Sequence, residues 1–112
     1  MKIVYTTSKL EKEFSSHKLL VRRHGPRRAE LIELRQEQFH AADVLQYLRV
    51  LPQIHCHELV GDHAGQLAVS LDYPYRLVFE PADAPIPRRP DGGLDWTKVT
   101  AVRILGVENY HD

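Results

Sequence analysis

The sequence has a single cysteine, no net charge and no long apolar run. A lone Cys56 excludes an intramolecular disulfide and a thiolate zinc site, and it agrees with a reducing compartment, where it serves as a small apolar strand residue. No apolar stretch approaches the ~18 residues that span a bilayer, and MKIVYTTSKLEKEF lacks the apolar core of a secretory signal. A cytoplasmic protein without a membrane partner is expected. Fifteen Lys and Arg balance fifteen Asp and Glu, so overall charge does not announce a nucleic-acid binder. Internal repeats and low-complexity tails are lacking too. A length of 112 residues with 43% hydrophobic content suits one domain, 1–112, with a modest core.

What is present is unevenly distributed. Lys18, Arg22, Arg23, Arg27 and Arg28 fall together without an acidic residue, and Glu30, Glu33, Glu37 and Asp43 follow. This predicts a basic patch beside an acidic one, or a solvated connection between helices. A short strand over Lys2 to Thr6 precedes Ser8-Lys9-Leu10-Glu11, which reads as a capping box for an amphipathic helix carrying Leu10 and Phe14. Gly25-Pro26 ends one segment and starts a helix to about Ala41, with Leu31, Leu34, Gln38, Ala41 and Ala42 on one arc and Ile32 and Phe39 widening it. Asp43 to Gln46 caps a brief helix that ends before Pro52.

After Pro52 the period changes to two. Leu67, Val69 and Leu71 share one strand face, and Tyr75, Leu77 and Phe79 share another, with Gly61–Gly65 and Asp72-Tyr73-Pro74 as turns. Prolines 81, 85, 87 and 90 mark a long loop, about 81–98, in which Trp96 is an anchor. Val99 to Val107 is nearly continuous in apolar residues and predicts a central strand buried on both faces. The order implies an α+β domain with a largely antiparallel sheet of four to five strands and N-terminal helices on one face.

The run Cys56 to Pro81 begins with His57 and contains Arg76, and the chain closes with Asn109-Tyr110-His111. Two histidines, a tyrosine and an arginine on one sheet suit cleavage of a phosphodiester bond without a metal or other cofactor. Histidine titrates near neutrality, at about 6.5, and so serves as acid or base, while the arginine fork matches a phosphate. Each residue has a plainer reading as well: His57 satisfied by backbone, Arg76 in a cross-strand ion pair with Glu58, Glu80 or Glu108, and Tyr110-His111 as a frayed end. His55 and His57, two apart on a strand, also share a face on which His111 could complete a zinc site.

These segments resemble the plasmid-maintenance killer proteins, the HigB branch of the RelE/ParE superfamily of bacterial toxins. The likeness is carried by CHELVGDHAGQLAVSLDYPYRLVFEP, by PIPRRPDGGLDWTKVTAV and by the terminal ENYH. It implies a RelE-like fold, a ribosome-dependent mRNA endonuclease, and a hetero-oligomer with a helix-turn-helix, HigA-like antitoxin. His57 matches the histidine of the family's L-H-x-L-x-G-D segment, Tyr110 and His111 match its terminal tyrosine and histidine, and Arg76 matches a strand arginine. The resemblance therefore implies a catalytic group of His57, Arg76, Asn109, Tyr110 and His111, with the two histidines as acid and base. From the charge distribution, Lys18, Arg22, Arg23, Arg27, Arg28, Arg88 and Arg89 are expected to face RNA and ribosome. Asn109 stands where relatives commonly carry aspartate, and Val60 where several carry lysine. The ParE branch of the same superfamily blocks DNA gyrase, which gives the alternative function, as does a non-catalytic binding module.

Overall fold

The alternation in Lys2–Tyr5 forms strand β1, and Thr7 then caps helix α1, Ser8–Phe14, by accepting the Leu10 N–H at 3.1 Å. The cap therefore lies one residue before the expected Ser8: the threonine has the extended backbone that a cap needs, whereas Ser8 is already helical. The computed structural model describes residues 1–110.

Helix α2 runs His17–Ala41 with a break at Gly25, whose backbone is left-handed at φ 82°. Glycine has no Cβ to oppose that conformation, and Pro26 at the next position has no N–H to donate. The expected interruption is thus present, but the basic stretch before it is helical rather than a connection. The buried face of the second half also differs from the expected arc. Ala29, Ile32, Arg35 and Phe39 are buried, while Leu34 is 41% exposed. The apolar count alone favoured the leucines, and a buried arginine on the true face concealed it.

A 3-10 turn, Leu45–Val50, sinks Leu45 and Leu48 into the core. The remaining strands are β2 (His57–Glu58), β3 (Leu67–Ser70), β4 (Tyr75–Pro81) and β5 (Ala101–Asn109). They form one sheet in the order β1-β5-β4-β3-β2, with β1 parallel to β5 and the other neighbours antiparallel. The α+β class and the mixed, largely antiparallel sheet agree with the sequence. Strand β5 is central in pairing but not buried along its length: Val102 and Ile104 are enclosed, whereas residues 105–109 are half-buried.

Strand alternation divides the sheet into two unlike faces. Leu67, Val69, Leu71, Leu77, Phe79, Val102 and Ile104 meet the helices, and the Phe39 and Phe79 rings lie 4.9 Å apart at the centre. Among the described residues the other face has only a small apolar group of Leu59, Ala68 and Val78, with Leu105 against it, and none of these belongs to a helix. That face is where polar strand residues can meet a ligand.

The loop after β4 is tied down at both ends. Trp96 is buried, donates its Nε1–H to Glu58 Oε2 at 2.9 Å and lies under the Arg49 guanidinium, 3.7 Å from the ring centroid. Its expected anchoring role is thus observed. Burial raises the Asp83 carboxyl, but the Thr100 hydroxyl at 2.7 Å and the backbone N–H groups of Thr100 and Ala101 outweigh it and hold Asp83 below the usual aspartate range.

Truncating the central ring, Phe39→Ala, is expected to cost about 3–5 kcal/mol, read as a lower midpoint in chemical denaturation. Asp83 makes a pH-dependent contribution of definite sign. A carboxyl held low in the folded state stabilises above its unfolded value of about 3.9, and that stability is lost as pH falls through the lower folded value. Asp83→Ala is therefore less stable than the parent at neutral pH, and urea titrations toward about pH 3 should show the difference closing. A gap that stays constant with pH would remove the carboxylate from this role.

Candidate functional site

His57 opens β2 and is exposed, with its ring Nδ1 2.8 Å from the carbonyl oxygen of His55. A carbonyl can only accept, so Nδ1 carries the hydrogen and, in the neutral ring, Nε2 is the acceptor. The carbonyl is aimed by its own backbone, because His55 is left-handed at φ 50°. This bend also means that His55 and His57 do not share a strand face, and the expectation that they would is corrected. Among the described residues no three His, Cys, Asp or Glu side chains gather as a metal site; the alternative cluster needs His111, which lies outside them.

Register places His57 opposite Ala68 and Ala68 opposite Val78, so His57 points to the uncovered face of the sheet. Arg76 is two residues before Val78 and pairs with Ser70 on one side and Glu108 on the other, which puts it on the same face. Strand spacing sets the His57 and Arg76 Cα atoms about 12 Å apart, a gap for a ligand rather than a direct contact. The Arg76 guanidinium has an ion pair with Glu108 at 4.0 Å, the cross-strand pairing expected of it, and its Nε is buried without a hydrogen-bond partner among the described residues. It therefore retains donor capacity.

Tyr110 follows β5 and is fixed by its N–H, which donates to the Pro74 carbonyl at 3.3 Å. Its ring centroid is 5.2 Å from the Arg76 guanidinium carbon, within the range of a cation–π contact. Asn109 pairs with Tyr75, on the side of the sheet opposite to Arg76. The structure thus places His57, Arg76 and Tyr110 together on or beside the open face and Asn109 behind it. Cys56 is not a nucleophile here: burial pushes its thiol up to about 12, with Arg49 opposing, so it stays protonated.

The basic residues divide into engaged and open ones. Arg28 donates from Nε and Nη2 to the two Asp72 oxygens, at 2.9 and 3.1 Å, and stacks on Tyr75 at 3.4 Å, so it clamps the β3–β4 turn. Arg23 meets Glu13 at 3.2 Å and Arg89 meets Asp91 at 3.5 Å. Lys18, Arg22, Arg27 and Arg88 are exposed without a carboxylate partner among the described residues.

Sequence reasoning missed the group between residues 53–55 and the β3–β4 turn. Gln53, His55, Ser70, Leu71, Tyr73, Tyr75 and Tyr110 line a cleft of about 290 Å³ there. Only the tyrosines flanking Pro74 signalled it; neither Gln53 nor His55 is the glycine or asparagine that would advertise a left-handed backbone. A second, mainly apolar groove of about 340 Å³ lies between the end of α2 and the 3-10 turn, lined by Ala41, Tyr47, Val50 and Leu51 among others, and it contains none of the expected catalytic residues.

No family model matches the sequence, and no curated protein matches it either. Its fold is similar to that of a YoeB/ParE toxin from Agrobacterium tumefaciens, with a TM-score of 0.57 and 15% identity over 97% of this chain and 98% of that one. The described residues therefore have the fold of a YoeB/ParE toxin.

Proposed function

We propose that this chain is the toxin of a toxin–antitoxin pair of the RelE/ParE type, an endoribonuclease that cuts mRNA on the ribosome without a metal. The observation that carries the reading is the His57 ring, its Nδ1–H held by the His55 carbonyl, exposed on the same open face as Arg76. Likeness to a YoeB/ParE toxin supports the toxin class.

In this reading the RNA 2'-hydroxyl attacks its own phosphate. One imidazole takes the hydroxyl proton and another protonates the departing 5' oxygen. His57 Nε2 is suited to either transfer, since the backbone fixes its tautomer. His111 is the proposed second imidazole, on sequence grounds alone. Arg76 meets the charge that grows on the phosphorane, using the donors that Glu108 leaves unspent. Tyr110 limits the swing of that guanidinium and stacks on an adjoining base. Asn109, on the far side, supports the strand end. Lys18, Arg22, Arg27 and Arg88 are the cations open to RNA backbone, with Arg23, Arg28 and Arg89 partly committed to carboxylates. A helix-turn-helix antitoxin is the proposed neutralising partner.

The decisive measurement is a translation reaction with mapped mRNA ends. Wild type should cut, His57→Ala should be slower by about 100-fold or more, and Arg76→Lys, which keeps the charge but loses the fork, by at least about tenfold. Cuts undiminished in both variants would refute these roles. Intact mRNA together with arrested gyrase supercoiling would replace the endonuclease with the ParE-type activity.

A further inference from the structure

The cleft that Gln53 and His55 line carries polar and aromatic groups that, Tyr110 aside, the cleavage steps do not use. Its volume of about 290 Å³ falls just under the roughly 300–1,000 Å³ of small-molecule pockets. Room exists for one flat ring system, not for an extended chain. Among the described residues its walls are the rings of Tyr73, Tyr75 and Tyr110, the Leu71 side chain and the polar groups of Gln53, His55 and Ser70. Such a lining suits a planar ligand with hydrogen-bonding edges.

The backbone holds this lining at a cost. Gln53 at φ 68° and His55 at φ 50° are both left-handed, a conformation that residues with a Cβ rarely adopt. Between them Ile54 is buried, and its carbonyl accepts the Ser70 N–H at 2.8 Å. The anchored isoleucine keeps residues 53 and 55 on the cleft while its own side chain enters the core. Strain of this kind gathers where a ligand is clamped.

The aromatic walls are themselves positioned. Tyr75 is fixed by Arg28 stacked at 3.4 Å, and Tyr73, 75% exposed, stands edge-on to Tyr110 with centroids 6.1 Å apart. A glutamine amide carries a donor and an acceptor side by side, the pairing that matches a base edge. We propose that this cleft is a nucleobase pocket in which Tyr73 offers the stacking surface and Gln53 reads the edge of one base. The proposal deepens the endonuclease reading by assigning its base preference to residues outside the acid–base group, and base binding can be measured without any cleavage.

The test uses the four ribonucleosides, which lack the phosphate that Arg76 would capture, titrated against the labelled protein and followed by amide NMR shifts. At least one nucleoside should shift the Gln53, His55 and Tyr73 amides in a saturable way. The informative variant is Gln53→Gly, because glycine accepts the left-handed backbone and removes the amide. It should keep or raise the melting temperature while weakening the preferred nucleoside at least about tenfold. Tyr73→Ala, at an exposed position, should weaken all four nucleosides. In mapped mRNA ends, Gln53→Gly should alter which bases flank the cuts while cutting persists. The proposal is overturned if no nucleoside shifts these amides up to its solubility limit, or if Gln53→Gly binds as wild type does. Nucleoside binding in a protein that cuts no mRNA would leave the pocket standing and remove the endonuclease; cutting without binding would do the reverse.

Discussion

A buried arginine sets where the helical layer meets the functional end of the sheet. Arg35 is 6% exposed, and its Nε donates to the Ser70 carbonyl at 2.7 Å while Nη1 donates to Gln38 at 3.0 Å. Burial lowers its pKa, yet an arginine remains charged in a protein, so the cation must be met by oxygen atoms fixed in place. Ser70 is consequently held from below by its carbonyl and from the side by its N–H, which bonds the Ile54 carbonyl. Ile54 fixes the left-handed residues around it, and the His55 carbonyl fixes His57. Three hydrogen bonds, linked through the Ile54–His55 peptide, thus connect the core helix to the exposed imidazole.

The residues proposed for cleavage and for base binding stand on two different supports. His57 and Arg76 belong to the ladder of the sheet, where register determines which face a side chain takes. Gln53, His55 and Tyr73 belong to the irregular segments at the sheet's end, where turns and single hydrogen bonds decide. The first support, set by register, suits the proposed proton transfer. The second can change with sequence at little cost to the core, which suits selection among related ligands.

The parts of the fold that were legible in the sequence are those with a strict period or a strong breaker. Alternation at Leu67, Val69, Leu71 and at Tyr75, Leu77, Phe79 gave the buried strand face, and Gly25-Pro26 gave the helix break. The α2 face was not legible, because its buried set includes Arg35 and its outer side includes Leu34, and a hydrophobic count reads both the wrong way. His57 and Arg76 were found through resemblance, and register puts both on one face of the sheet. The cleft was invisible, since left-handed Gln53 and His55 depend on the distant Ser70 and not on their own propensities.

Strand β5 has a further effect on how the molecule comes into being. It pairs with β1 through Lys2 and Ala101 and with β4 through Tyr75 and Asn109, so it lies between two parts of the sheet that have no other join. A growing chain can form α1, α2 and the β2–β3–β4 meander from nearby contacts, but none of these brings Tyr110 to Arg76. Long-range pairing of this kind is slow, because loop closure must precede the contacts that reward it. A nascent chain therefore has an open, unfinished sheet until β5 has entered between β1 and β4.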